Sequence, residues 1–382
     1  MSLLPLDPEL LRLHRRLPFG LHDSEGRLLL APGESVDDDG RLRALLLQPL
    51  HVDDFEAAPW LAQLAPAPVR TAAPAPLAAT LLPLRAQAEL IITQLADALR
   101  AAGSDPFWLN RMLQNLALAE GFEQAHGDTL EFLLLQHAAH SVDEYSTHHA
   151  LLCALLCHRV GARLGWSPQE QATLVRAAMT MNVSMIHLQD QLARQSGPLR
   201  PEQRARIERH AEHAAVLLAD AGVSDQLWLD VVRLHDDPML AERPLAGLSD
   251  AQRLARLLRL VDRFAAKISR RGNRHPLPPL IAVREACTGV DGQPDDYGAA
   301  LLDALGPYPP GSYVRLSGRE IGVVRQRQGR PEDLLVVVFE PAAQGLQLRD
   351  TTQAGCAVLG ALPVAEVARP PEPDQVLQLL LA

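Results

Sequence analysis

Leu90-Ile91-Ile92-Thr93-Gln94-Leu95-Ala96-Asp97-Ala98-Leu99 carries leucines at 90, 95 and 99, and Met112, Leu113 and Leu116 continue the pattern. Apolar side chains that recur every three to four residues share one face of a helix. The same reading predicts helices over 128–140, 147–164, 168–181, 201–220, 224–235 and 250–270, punctuated by Gly165-Trp166-Ser167-Pro168 and Ser196-Gly197-Pro198. Residues 85–306 therefore read as an all-helical bundle.

Outside that stretch the pattern changes. In residues 17–55, Ser24-Glu25-Gly26 lies between short apolar runs and reads as a hairpin turn. A helix over Asp39–Gln48 and a strand over His51–Phe55 complete a small α+β module, residues 1–56. Residues 57–84 are rich in Ala and Pro, including Pro66-Ala67-Pro68 and Pro74-Ala75-Pro76, which suits a semi-rigid linker. Beyond Tyr308-Pro309-Pro310-Gly311, three short strands are predicted at Tyr313–Leu316, Ile321–Val324 and Leu334–Phe339, with a turn at Ser317-Gly318-Arg319-Glu320. Three such strands bury little alone, so the extension 307–382 is expected to pack on the helical domain. The fold class is mainly α.

The chain has 382 residues, 47% of them hydrophobic, enough for a substantial helical core. A net charge of −10 excludes a general binder of phosphate backbones, so no nucleic-acid partner is expected. Met1–Arg16 lacks a basic segment followed by an apolar run, and no stretch reaches the ~18 apolar residues of a membrane span. The expectation is a cytoplasmic protein without a membrane partner. Cys153 and Cys157 are one helical turn apart, and Cys287 and Cys356 lie far away in sequence. That is no zinc pattern, and the expectation is buried, reduced thiols.

Ligand-capable side chains recur along the helical region. Tyr145-Ser146-Thr147-His148-His149, Arg176-Ala177-Ala178, His210, His235 and Val261-Asp262 follow one another in an order and spacing that resemble the HD-GYP family. Gly306-Pro307-Tyr308-Pro309-Pro310-Gly311 through Glu320 resembles that family's closing segment. The resemblance covers about residues 130–325, with residues 17–55 similar to the small module that often precedes the domain. It implies an HD-domain-like bundle in which histidines and aspartates hold two or three metals for hydrolysis of cyclic di-GMP. Two ions stabilise both the attacking and the leaving oxygen.

The sequence departs from that family at the chemistry. Met181, Asn182 and Met185 occupy the positions of its histidine, bridging aspartate and lysine, and Glu242-Arg243-Pro244 stands where Gly-Tyr-Pro would. An amide cannot supply an anionic bridge between two cations, and a thioether is a poor ligand for hard metals. His149, His210, His235 and Asp262 remain as metal candidates, and the expectation is no cofactor or one weakly bound divalent metal.

Each candidate also has a plainer account. His149 sits in a first helical turn that Ser146 or Thr147 could cap, His210 on a polar helix, and His235 at a helix end that favours a partly charged ring. Asp262 lies among apolar residues and needs a partner, Arg, His or an ion. Lys267, Arg270, Arg271 and Arg274 resemble the family's phosphate-facing segment, although a solvated helix end has the same composition. The functional expectation is a non-catalytic relative that binds a cyclic dinucleotide or a signalling-protein partner. The alternatives are a phosphodiesterase with a rearranged metal site and a pure interaction scaffold.

Overall fold

The structure, a computed structural model, describes residues 3–6, 16–36, 38, 41, 45, 50–53, 56–57, 83–241, 243–272, 274–287, 295–317, 320–340 and 345–379. The chain divides into two compact units, residues 1–80 and 81–382. Each has its own apolar core.

In the first unit, β1 (Leu3–Leu6), β2 (Leu21–His22), β3 (Leu28–Leu30) and β4 (Leu50–Asp53) form an antiparallel sheet in the order β1-β4-β2-β3. The hairpin read from Ser24-Glu25-Gly26 joins β2 to β3, with Leu21 opposite Leu30. Asp23 Oδ1 accepts from the Glu25 and Arg27 amides, and Gly26 takes the positive φ of the turn. Most of the helix expected over 39–48, Asp54 and Phe55 of the expected strand, and residues 58–82 of the linker lie outside the described residues.

The second unit begins with α1 (Leu84–Arg100), α2 (Trp108–His140), α3 (Tyr145–Arg163) and α4 (Pro168–Thr180). A turn at Val183–Met185 leads to α5 (Ile186–Arg194), α6 (Pro201–Glu208), α7 (His210–Asp220) and α8 (Gln226–Leu234). Next come α9 (Asp250–Ile268), α10 (Pro279–Cys287) and α11 (Asp296–Leu305). α3 is buried on nearly every side and packs against α2, α4, α5, α9 and α11. A helix apolar all round belongs at the centre of a bundle. Local chemistry sets the ends: Ser167 caps α4 with Glu170 answering in a capping box and Pro168 in the first turn, and Ser249 caps α9. Among the described residues, no helix is long and apolar enough to cross a membrane.

Two expected helices differ. The stretch 201–220 is two helices, because Arg209 takes a non-helical backbone (φ −106°, ψ 0°). α3 starts at Tyr145, and neither Ser146 nor Thr147 caps it; Glu144 stands at the cap with left-handed backbone (φ 48°).

Among the described residues, the carboxy-terminal region holds five strands where three were expected: β5 (Tyr313–Leu316), β6 (Ile321–Gln328), β7 (Arg330–Glu340), β8 (Gln347–Asp350) and β9 (Val358–Ala361). They form one antiparallel sheet in the order β8-β7-β6-β5-β9. β8 and β9 were missed because short edge strands with mixed polar residues leave little alternation to read. Gly318 and Arg319 of the expected turn lie outside the described residues.

The sheet packs on α2. Phe132 joins Tyr313, Val323 and Val337 in one cluster, and Gln136 Nε2 donates to the Gly311 carbonyl at 2.7 Å. Arg327 pairs with Asp128 and with the fully buried Glu131, which also takes Arg159. α12 (Pro373–Gln378) closes the described chain against α2.

Candidate functional site

The site is built on a single stripe of α3. Tyr145, His149, Cys153 and Cys157 are spaced four residues apart, so they line one face of the helix. Where that face meets α9, His149 Nε2 lies 2.7 Å from Asp262 Oδ1, and Cys153 Sγ lies 3.7 Å from the same nitrogen. His149, Cys153 and Asp262 bring three ligand atoms within 4.8 Å of one another, the one such group among the described residues.

His210 and His235 approach from α7 and from the end of α8. The break at Arg209 turns the first residue of α7 inward, and both rings are buried. His210 Nδ1 is 2.5 Å from the Ile207 carbonyl and His235 Nδ1 is 2.7 Å from the Val232 carbonyl. A carbonyl only accepts, so each Nδ1 carries the proton and each Nε2 presents a lone pair. Those two Nε2 atoms face each other at 3.0 Å. Facing lone pairs repel unless one ring is protonated or a cation lies between them. Hydrogen bonding Nδ1 to a carbonyl while Nε2 stays free is the usual way a metal-ligating histidine is oriented.

The electrostatics tie the two pairs together. Burial pushes the Asp262 carboxyl up, but the hydrogen bond and charge of His149, with help from His235 and His210, bring it below its ordinary value. Burial and the neighbouring His210 hold His235 below the ordinary imidazole range. Burial raises the Cys153 and Cys157 thiols, with Asp262 adding to both. Such a thiol is neutral and becomes a ligand only where a metal displaces its proton.

A chain of contacts runs outward from Asp262. His149 donates to Asp262 through Nε2, Tyr145 Oη is 3.5 Å from His149 Nδ1, and Arg271 Nη2 donates to Tyr145 Oη at 2.8 Å. The Arg271 guanidinium also lies over the Tyr145 ring, 5.2 Å from its centre, and its buried Nε has no partner among the described residues.

The other basic candidates are engaged elsewhere. Lys267 pairs with Glu285 at 2.7 Å, Arg270 Nη1 donates to the His140 carbonyl at 3.3 Å, and Arg274 Nη2 donates to the Ala266 carbonyl at 2.5 Å. Of the four, Arg271 alone is brought to the site.

Met181 is fully buried in the apolar core at the end of α4, Asn182 is buried and Met185 is half-buried. The turn that follows packs on α7, and Ser184 Oγ donates to the His210 carbonyl at 2.7 Å. The stretch thus borders His210. Glu242 lies outside the described residues, and the Arg243 carbonyl accepts from Arg256. Cys153 is the residue that sequence reasoning passed over as a site member, although its place one turn after His149 was visible. Three of the thiols are buried as expected, and Cys356 is half-exposed.

His149, Cys153 and Asp262 offer one nitrogen, one sulfur and one oxygen atom, donor types that borderline divalent metals of the zinc kind accept, while His210 and His235 stand outside that group.

No protein-family model and no curated protein matches the chain. Among solved structures the chain is similar to Bd1817, an HDG"Y"P protein from Bdellovibrio bacteriovorus, with 16% identity, a TM-score of 0.44 and coverage of 80% of this chain and 99% of that chain. At that identity and score the likeness assigns no role to any residue.

Proposed function

We propose that the 81–382 unit is a non-hydrolytic domain of the HD-GYP type that holds one divalent ion and binds a cyclic dinucleotide without cutting it. In this reading His149, Cys153 and Asp262 hold the ion, and His210 and His235, which stand outside that group, turn in to complete its shell. The observation that carries this is the gathering of the His149, Cys153 and Asp262 ligand atoms within 4.8 Å of one another, together with the two Nε2 lone pairs of His210 and His235 that face each other at 3.0 Å. Loading the site relieves that repulsion and requires His149 to give up its hydrogen bond to Asp262. The bound ion supplies positive charge for a phosphate oxygen, and Arg271, already reaching the site through Tyr145, adds a planar donor for a second.

Hydrolysis fails for want of a bridge. Asp262 is the carboxylate of the His149, Cys153 and Asp262 group, and Asn182 is a neutral amide at the position where the resemblance calls for a second anionic group to hold two ions. Elemental analysis of the purified protein after zinc or manganese loading is expected to find no more than one ion per chain. Asp262→Ala is expected to lose it. Turnover of cyclic di-GMP with manganese or iron is expected to stay far below the ~1 per second of ordinary enzymes. Two ions per chain together with enzymatic turnover would overturn the proposal, as would metal content unchanged in Asp262→Ala.

A further inference from the structure

His148 and His149 are adjacent on α3 and face different neighbours. His149 enters the ion site, whereas His148 stacks face to face on His137 of α2, with ring centres 3.3 Å apart and planes 2° from parallel. Together with His140, one turn further along α2, they line a cleft of about 350 Å³. Arg85 and Glu89 of α1 form another wall, and Pro370–Pro373 close it from the carboxy-terminal side.

The hydrogen bonds fix which nitrogen of each ring carries the proton. His137 Nε2 is 2.7 Å from the Asp143 carbonyl and His148 Nδ1 is 3.1 Å from the Glu144 carbonyl, so both of these nitrogens donate. Tyr313 gives its hydroxyl proton to Gln136 Oε1 at 3.0 Å, so at 2.8 Å it accepts from His140 Nε2. What remains is His137 Nδ1, His140 Nδ1 and His148 Nε2, three bare lone pairs that no hydrogen bond takes up among the described residues. Burial holds His137 and His140 below the ordinary imidazole range. With one nitrogen of each ring already donating, the other is left as an acceptor.

We propose that this cleft is a second binding site, separate from the ion site, for a small organic cation with several N–H donors on an apolar stem. Three acceptors, and two carboxylates (Glu89 and Glu372) against one guanidinium, call for a positively charged donor. Arg85 is already paired, to Glu89 at 2.6 Å and to Asp374 at 3.1 Å. The apolar floor of Ala88, Ile92 and Leu133 suits a hydrocarbon stem. The three imidazoles do not gather their ligand atoms within 4.8 Å, as His149, Cys153 and Asp262 do, so a molecule that spans them fits better than a single metal ion.

Titration calorimetry of the full chain with agmatine, a guanidinium on an alkylamine stem, is expected to show saturable binding at one site. His148→Phe keeps an aromatic ring against His137 and removes one acceptor. It is expected to weaken binding about tenfold, ~1.4 kcal/mol. Glu89→Gln, on the outer side of α1, is expected to weaken it likewise and leaves the interior untouched. In labelled protein, the imidazole nitrogen resonances of His140 and His148 are expected to move as agmatine is added. No heat at millimolar agmatine, or affinity unchanged in both variants, would overturn the proposal. So would binding of zinc alone or inorganic phosphate at these histidines in agmatine's place. Metal content at Asp262 is read separately, so failure here leaves the ion site standing.

Discussion

At the scale of single residues, the most exacting demands are at the seam between α2 and the sheet. Glu131 is fully buried, and burial pushes its carboxyl up against the pull of Arg159 and Arg327. Glu131→Gln removes the buried charge that Arg159 and Arg327 share, leaving them Glu123 and Asp128, and is expected to cost about 3 kcal/mol, seen as a lower urea midpoint, because a buried charge set loses its centre. Gly322 is equally constrained: a Cβ there would lie 2.5 Å from Val336 Cγ1 and 2.8 Å from the Val337 carbonyl oxygen. Gly322→Ala is expected to lower stability by about 2 kcal/mol through forced displacement of β7, measured by thermal unfolding. The sequence made Asp262 legible as an acid in need of a partner, since Leu257, Leu258, Val261 and Phe264 surround it in an apolar stretch. Periodicity alone did not distinguish His148 from His149; only the family resemblance singled out His149. Adjacent residues on a helix point about 100° apart, and only the packing of α3 decides which one meets α9 and which meets α2.

At the scale of elements, the start of α4 is where sequence and structure agree best, because its cap acts through neighbours in the chain, whereas α3 begins without the cap expected of Ser146 or Thr147. Ser167 accepts from the Glu170 amide, and Glu170 answers the Ser167 amide at 2.8 Å. Ser167→Ala is expected to cost about 1 kcal/mol. The Ser167 hydrogen bonds and the Arg253 pair hold the Glu170 carboxyl below its ordinary value of 4.5. Its contribution is therefore complete above that value and fades as pH falls further, once the folded-state carboxyl takes up a proton. Thermal scans from neutral to acid pH are expected to show a smaller acid-side loss in Glu170→Gln than in the parent. The break at Arg209 had no such signature. Arg204 to His213 holds no Gly or Pro, and the non-helical backbone at Arg209 accompanies the burial of His210 against His235.

At the scale of the whole molecule, the apolar clusters of residues 17–57 share no member with those beyond residue 83. Residues 81–382 expressed alone are expected to unfold in one cooperative transition at a temperature close to that of the parent. A chain ending at residue 306 is expected to be insoluble, because Phe132 and Glu131 would lose their cover from the sheet. The helical bundle was legible because its periodicity is long and repeated. The sheet was half-legible: its interior strands are runs of β-branched residues, and its borders are not.

β7 also bears on how the protein is made. From Leu334 to Phe339 it runs Leu-Leu-Val-Val-Val-Phe without a charge, the composition from which cross-β aggregates grow. In the finished sheet it is flanked by β6 and β8 and offers no free edge. Its outer partner, β8, is four residues long, carries Arg349 and Asp350, and follows β7 in the chain. The hazard thus belongs to the interval before β8 docks. Refolding from denaturant is expected to lose yield steeply as protein concentration rises, while native protein at the same concentration stays in solution.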